Sequence, residues 1–266
     1  MRLCLFVLAL SIISANAQDQ FKPNGDPFHN FENATDFDSK CPKVTGNAKP
    51  NTGGAKQNTV KNNLAAKGSV KDISIDDLVA LQKEIEKDAD YDKWSATNAP
   101  KTRAPFHNMS GDFQEGELVR ITAYVFEAHT ADMESTGESV NCNYGTGEKA
   151  KNQVSEEEAS SSNDIHIALV DSRTDKDECK SVTAEVIPHF RPAMWDEALF
   201  KKTLKRKLVR LTGQLMFDAS HKPCTDGKKS SPARQSLWEV HPVYRVEQCS
   251  SDDGHGTCTG GWKVIS

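Results

Sequence analysis

Five strand-like segments, with one amphipathic helical segment between the third and the fourth, predict an all-β domain with minor α structure. The first strand-like segment is long, and the order β-β-β-α-β-β is that of a five-stranded OB-type barrel. A polar arm and one helix precede this domain.

Residues 1–17 (MRLCLFVLALSIISANA) combine Arg2, an apolar run over 3–13 and the small-x-small site Ala15-Asn16-Ala17. This is the pattern of an export signal, so the mature chain is expected to begin at Gln18 and to be secreted or periplasmic. The run is shorter than the ~20 apolar residues a spanning helix needs, and Cys4 stands in the wrong company for a lipid anchor. Residues 18–72 are dominated by Asn, Lys, Gly, Pro, Asp and Thr. Such a segment buries too little apolar surface to offset its ordering entropy, so it reads as a flexible arm.

Residues 73–111 read as a helix and linker. Ser74 can cap the helix with Asp77 three residues on, Ile73 and Leu78 can staple it, and Ile75, Leu78, Leu81 and Ile85 form an apolar stripe. The barrel domain is assigned to 112–249, with strands at 116–128, 164–171, 181–188, 207–217 and 237–248; Pro188 stops the third. The intervening helix is expected over 194–204, where Trp195, Leu199 and Phe200 share one side and lysines fill the last turn. The loop over 129–163 is polar, and its acidic, Ser-rich second half reads as disordered. Residues 250–266 form a C-terminal tail.

Of seven cysteines, Cys4 falls in the leader, leaving Cys41, Cys142, Cys179, Cys224, Cys249 and Cys258. An even number after an export signal predicts at least two disulfides among 15 possible pairings. Cys249 with Cys258 would close a short loop that fastens the tail. No pair is spaced C-x-x-C, which argues against a zinc ribbon or a thioredoxin-like centre. Without Arg2 the mature chain carries 32 bases against 38 acids, a balance that argues against a general nucleic-acid binder. The basic run 201–207 spans the expected helix end, where lysines meet exposed carbonyls.

Acid and imidazole recur together: Asp164 with His166, Glu185 with His189, Asp218 with His221, and Glu239 with His241. In the second strand Ile165, Ile167 and Leu169 claim the interior and turn Asp164 and His166 outward. In the third, Val182, Ala184 and Val186 turn Thr183 and Glu185 outward; in the fifth, Trp238 and Val240 leave Glu239 and His241 on the outer face. An OB barrel places its third strand between its second and fifth, so His166, Glu185, Glu239 and His241 are expected to form one outward patch, with Asp164, Asp218 and His221 as secondary candidates.

The segments ESVNC (138–142), DIHIALV (164–170), AEVIPHFRP (184–192), VRLTGQLMFDASH (209–221) and LWEVHPV (237–243), following the Lys61-Asn62-Asn63 triplet, resemble a group of secreted bacterial proteins with an OB-like domain. The resemblance implies the fold and export and assigns no activity, cofactor or catalytic residue. The Ser-rich stretch 154–163 departs from it by being longer than such a loop requires.

These readings favour a binding module that holds a small molecule, glycan, peptide or envelope partner on the outer barrel face. The alternative at the same residues is a metal-binding protein or metal-dependent hydrolase, since imidazole with carboxylate suits a divalent ion. Single-stranded nucleic-acid binding and a structural envelope role are further alternatives, the former weakened by few outward aromatics. No G-x-S-x-G elbow, H-E-x-x-H helix or glycine-rich phosphate loop is present. Asn33 and Asn108 fit the N-glycosylation pattern, which has meaning in a eukaryotic source.

Overall fold

The computed structural model describes residues 51–63, 66–131, 163–188, 191–192, 194–226 and 228–265. Residues 1–50, with Asn33 and Cys41, as well as Cys142, His189 and nearly all of the stretch 129–163 lie outside the described residues. The elements in chain order are α1 (Gly53–Lys61), β1 (Lys67–Ile73), α2 (Ile75–Ile85), β2 (Glu117–Thr130), β3 (Ile165–Val170), β4 (Val182–Val186), a π-helical turn (Leu199–Thr203), β5 (Leu208–Phe217), β6 (Trp238–Cys249) and β7 (Trp262–Val264).

Strands β2, β3, β4, β6 and β5 are hydrogen-bonded in that order, and β5 pairs back onto β2 to close the barrel. The long β2 makes closure possible by serving two partners: its residues 118–124 pair with β5, while 124–130 pair with β3 across a bulge between Val125 and Glu127. The parallel β4–β6 contact is made at Ala184 and Val240. Strands β1 and β7 lie outside the barrel, β1 parallel to β2 and β7 antiparallel to β6.

Alternation sends Ile165, Ile167, Leu169, Val182, Ala184, Val186, Trp238 and Val240 into one apolar core. Trp94, Phe106, Phe217 and Trp238 close the barrel end where β5 stops and β6 begins, with ring centroids 4.5–6.1 Å apart. Helix α2 packs its Ile75, Leu78, Leu81 and Ile85 stripe into the same core. The Ser74–Asp77 capping box fixes its start, and the Ser236 hydroxyl donates to the Leu78 carbonyl at 2.9 Å.

Two local expectations change. The segment expected as an arm carries α1 and β1 within residues 53–72, because backbone pairing to β2 and polar contacts substitute for an apolar face. The helix expected over 194–204 is helical only in its second half, where the Leu204 N–H bonds to the Leu199 carbonyl across a π-helical turn. Trp195 and Phe200 are nonetheless fully buried, and the Trp195 indole N–H donates to the Ile265 carbonyl.

Disulfides join Cys179 to Cys224 and Cys249 to Cys258. The second fastens the segment leading into β7. Among the described residues, no helix is long and apolar enough to cross a membrane.

Candidate functional site

The β3–β4 register sets His166 opposite Glu185, and the Ala184–Val240 contact brings Glu239 and His241 alongside. His241 is further placed by the close approach of β5 and β6: a Cβ on Gly213 would lie 2.3 Å from the Pro242 carbonyl oxygen, so only glycine fits there. The next residue, Gln214, donates from Nε2 to the His241 carbonyl at 3.0 Å.

The four residues expected on the outer face therefore meet. Glu185 is the hub, with Oε2 2.6 Å from His241 Nδ1 and Oε1 3.7 Å from His166 Nδ1. His241 Nδ1 also lies 3.3 Å from Glu239 Oε1, and His166 Nε2 lies 3.4 Å from Asp164 Oδ1. Glu239 passes the chain of contacts to Arg234 at 2.8 Å, Arg234 to Asp218 at 2.7 Å, and Asp218 to His221 Nδ1 at 2.6 Å. Every secondary candidate belongs to this one network, while His189 lies outside the described residues.

The expected exposure is corrected. Glu185, Glu239, His241 and Asp218 are at most 1% exposed, and only the ends of the chain, His166 and His221, reach 13% and 29%. Helix α1 covers this face. Its Gln57, Asn58 and Lys61 are buried against the barrel, with Lys61 Nζ 3.8 Å from Glu185 Oε2 and Gln57 Nε2 donating to Asp218 Oδ1 at 2.9 Å. The groups of the patch therefore face protein more than solvent.

Burial pushes the His166 imidazole down, but the Glu185 and Asp164 carboxylates outweigh it and hold its pKa at about 10. Burial likewise opposes the charge on His241, and Glu185 again prevails, raising it to about 9. Glu185 is held well below the usual carboxylate range: burial would raise it, and His166, Lys61 and His241 outweigh that. Asp218 is lowered against its own burial by His221, Lys61 and Arg234.

Hydrogen bonding inside the cluster is incomplete. Among the described residues, Asp164 Oδ2, His166 Nε2, Glu185 Oε2, Glu239 Oε1 and both His241 ring nitrogens are buried without a properly directed hydrogen bond. The 2.6 Å approach of His241 to Glu185 lacks hydrogen-bond alignment. Buried polar groups are normally satisfied, so such a concentration is unusual. One ligand atom each from Asp164, Glu185 and His241 lie within 4.8 Å of one another. Bonds of ~2 Å put ligand atoms at most about 4 Å apart, so closing around an ion requires a contraction of about 1 Å.

Sequence patterning did not single out Lys61, Gln57 or Arg234. A signal for the first two is their i, i+4 spacing, which puts both on one helix face. For Arg234 the signal is its place shortly before the Trp238-Glu239-Val240-His241 strand. Comparison with family models, curated proteins and solved structures finds none that matches this chain.

Proposed function

We propose that this is an exported metal-binding protein whose OB barrel holds a divalent transition-metal ion through Asp164, Glu185 and His241, flanked by His166 and Glu239. The observation that carries the reading is the convergence of buried carboxylate and imidazole atoms that lack directed hydrogen bonds. One nitrogen and two oxygen donors suit the borderline ion Zn²⁺ or the harder, oxygen-preferring Mn²⁺. Export is supported by the leader-like residues 1–17 and by two disulfides.

The surrounding charge makes the reading specific. Lys61, 3.8 Å from Glu185, competes with a cation for that carboxylate, and His241 must lose a proton to become a ligand. Metal uptake should therefore release protons and weaken as pH falls. Replacing Lys61 by Met should raise metal affinity by about tenfold or more, a change of ~1.4 kcal/mol. A purely structural ion-pair network predicts lost stability and no gain in metal binding.

The test is elemental analysis of purified chain after dialysis, followed by Zn²⁺ and Mn²⁺ titration calorimetry of the wild type, Lys61→Met and Asp164→Asn. One equivalent of ion per chain, lost in Asp164→Asn with circular dichroism unchanged, supports the site. At a hundredfold excess over Kd the ion should stabilise the fold by about 2.7 kcal/mol. Failure of the wild type to bind either ion at pH 8 would overturn the assignment.

A further inference from the structure

Asp218 and His221 form the end of the network farthest along from the metal ligands, and His221 borders a second place in the molecule. The segment over 86–95, which follows α2, faces residues 220–225 and 228–231 across a cleft of about 800 Å³. That volume lies within the range of small-molecule sites. We infer that this cleft binds a small organic anion, with His221, Lys222 and Lys228 around its carboxylate or phosphate and Trp94 beside its apolar part.

His221 is held as a positioned side chain. Its Nδ1 lies 2.6 Å from Asp218 Oδ2, leaving Nε2 as the ring atom free to serve the cleft. Asp218 is itself fixed by Arg234 Nη2 at 2.7 Å, Gln57 Nε2 at 2.9 Å and the Ser220 N–H at 2.9 Å. A buried carboxylate with this many donors fixes the ring orientation before any ligand arrives.

The cations are arranged unequally. Lys222 Nζ is anchored by the Tyr91 carbonyl at 2.8 Å and sits 4.1 Å above the Tyr91 ring. Lys229 is paired with Glu178 at 2.7 Å, whereas Lys228 makes no side-chain ion pair among the described residues. The acids on the cleft wall are Glu86 and Asp92; with Lys229 committed to Glu178 and His221 to Asp218, the cations left to meet a ligand are Lys222 and Lys228.

The apolar side comes from Trp94, whose indole packs edge-on against Tyr91 and Phe106 with centroids 6.0 and 5.4 Å away. The opposing wall is tied down by the Cys179–Cys224 disulfide and by the Cys224 N–H donating to the Arg234 carbonyl at 2.7 Å. A rigid aromatic wall beside the anchored Lys222 suits a ring that bears an acidic group.

The experiment is NMR titration of the full mature chain with phenyl phosphate, benzoate and, as the neutral control, benzyl alcohol, each with and without EDTA. Saturable shifts of the His221 ring and Trp94 indole signals by at least one of the two anions, none by the alcohol, are expected. Their relative affinities decide between phosphate and carboxylate. Lys228→Ala, at an exposed position, and Lys222→Met should each weaken binding about tenfold, and His221→Gln should do so with the fold retained. Absence of saturable binding by both anions, or binding that survives the double lysine substitution unchanged, would overturn the inference. So would binding that EDTA abolishes, since the anion would then be held by a metal ion instead of the cleft.

Discussion

Glu185→Gln is the most informative single substitution, because it removes the charge shared by three groups and keeps the shape. Glu185 carboxylate oxygens lie 2.6 Å from His241, 3.7 Å from His166 and 3.8 Å from Lys61, and its side chain is 1% exposed. Removing one partner of a buried ion pair costs about 3–5 kcal/mol, since the remaining charge stays out of water without compensation. Here the two imidazoles can relieve part of that by shedding protons, which places the expected loss near the lower end, about 3 kcal/mol. For a chain of this size each kcal/mol moves Tm by about 2–4 °C, so a fall of about 6–12 °C is expected. The assay is urea unfolding at pH 7 in EDTA, which keeps metal linkage out of the comparison. Lys93→Ala, which removes the exposed Lys93–Asp90 pair, is the control and should leave the midpoint unmoved. A loss below about 1 kcal/mol for Glu185→Gln would refute the claim that this carboxylate organises the network.

Glu115 gives a pH prediction. Burial would raise its carboxyl, but Arg103 outweighs burial and the group ends below its ordinary 4.5. A depressed folded pKa contributes stability above the unfolded value and loses it as pH falls through the folded one, so Glu115→Gln should flatten the acid limb of stability measured by urea midpoints from pH 7 to pH 3. Ser74→Ala removes the hydroxyl that accepts from the Asp77 N–H at 3.1 Å and should cost about 1 kcal/mol, measured by the same unfolding curves. The Cys179–Cys224 bridge spans 45 residues and Cys249–Cys258 spans 9. Loop entropy then predicts losses of about 4 and about 2.6 kcal/mol for Cys224→Ser and Cys258→Ser, so calorimetry should find the first variant the less stable.

The barrel is legible from the apolar residues that recur at every second position, most cleanly in β3, where Ile165, Ile167 and Leu169 are buried while His166 and Ala168 are partly exposed. The long β2 is equally visible, because one strand serving two partners must exceed the common length. The 194–204 segment misleads for a physical reason. Its apolar spacing specifies which side chains are buried and says little about how the backbone closes, so Phe200 reaches the core from a π-helical turn and Trp195 from the non-helical stretch before it. That disulfides form is legible in the even number of cysteines left outside residues 1–17, whereas the Cys179–Cys224 partnership depends on the β3–β4 connection meeting the β5–β6 loop and has no local signature.

The meeting of His166, Glu185, Glu239 and His241 was also readable, since alternation and strand order together fix both face and neighbourhood. Their burial was not. Periodicity distinguishes the barrel interior from its exterior, and an exterior position is exposed only if nothing packs over it. What packs over it is α1, GGAKQNTVK, which has no apolar stripe to betray it. The helix is held by its polar groups: Gln57 alone donates to Asp218 and Ser220 and accepts from the Ala219 and Arg103 N–H groups. A segment whose composition reads as an arm is therefore ordered by the same charged groups that it hides. The lid and the cluster depend on each other. Sequence heuristics based on apolar burial miss such pairs because the ordering energy resides in hydrogen bonds and ion pairs, which carry no period.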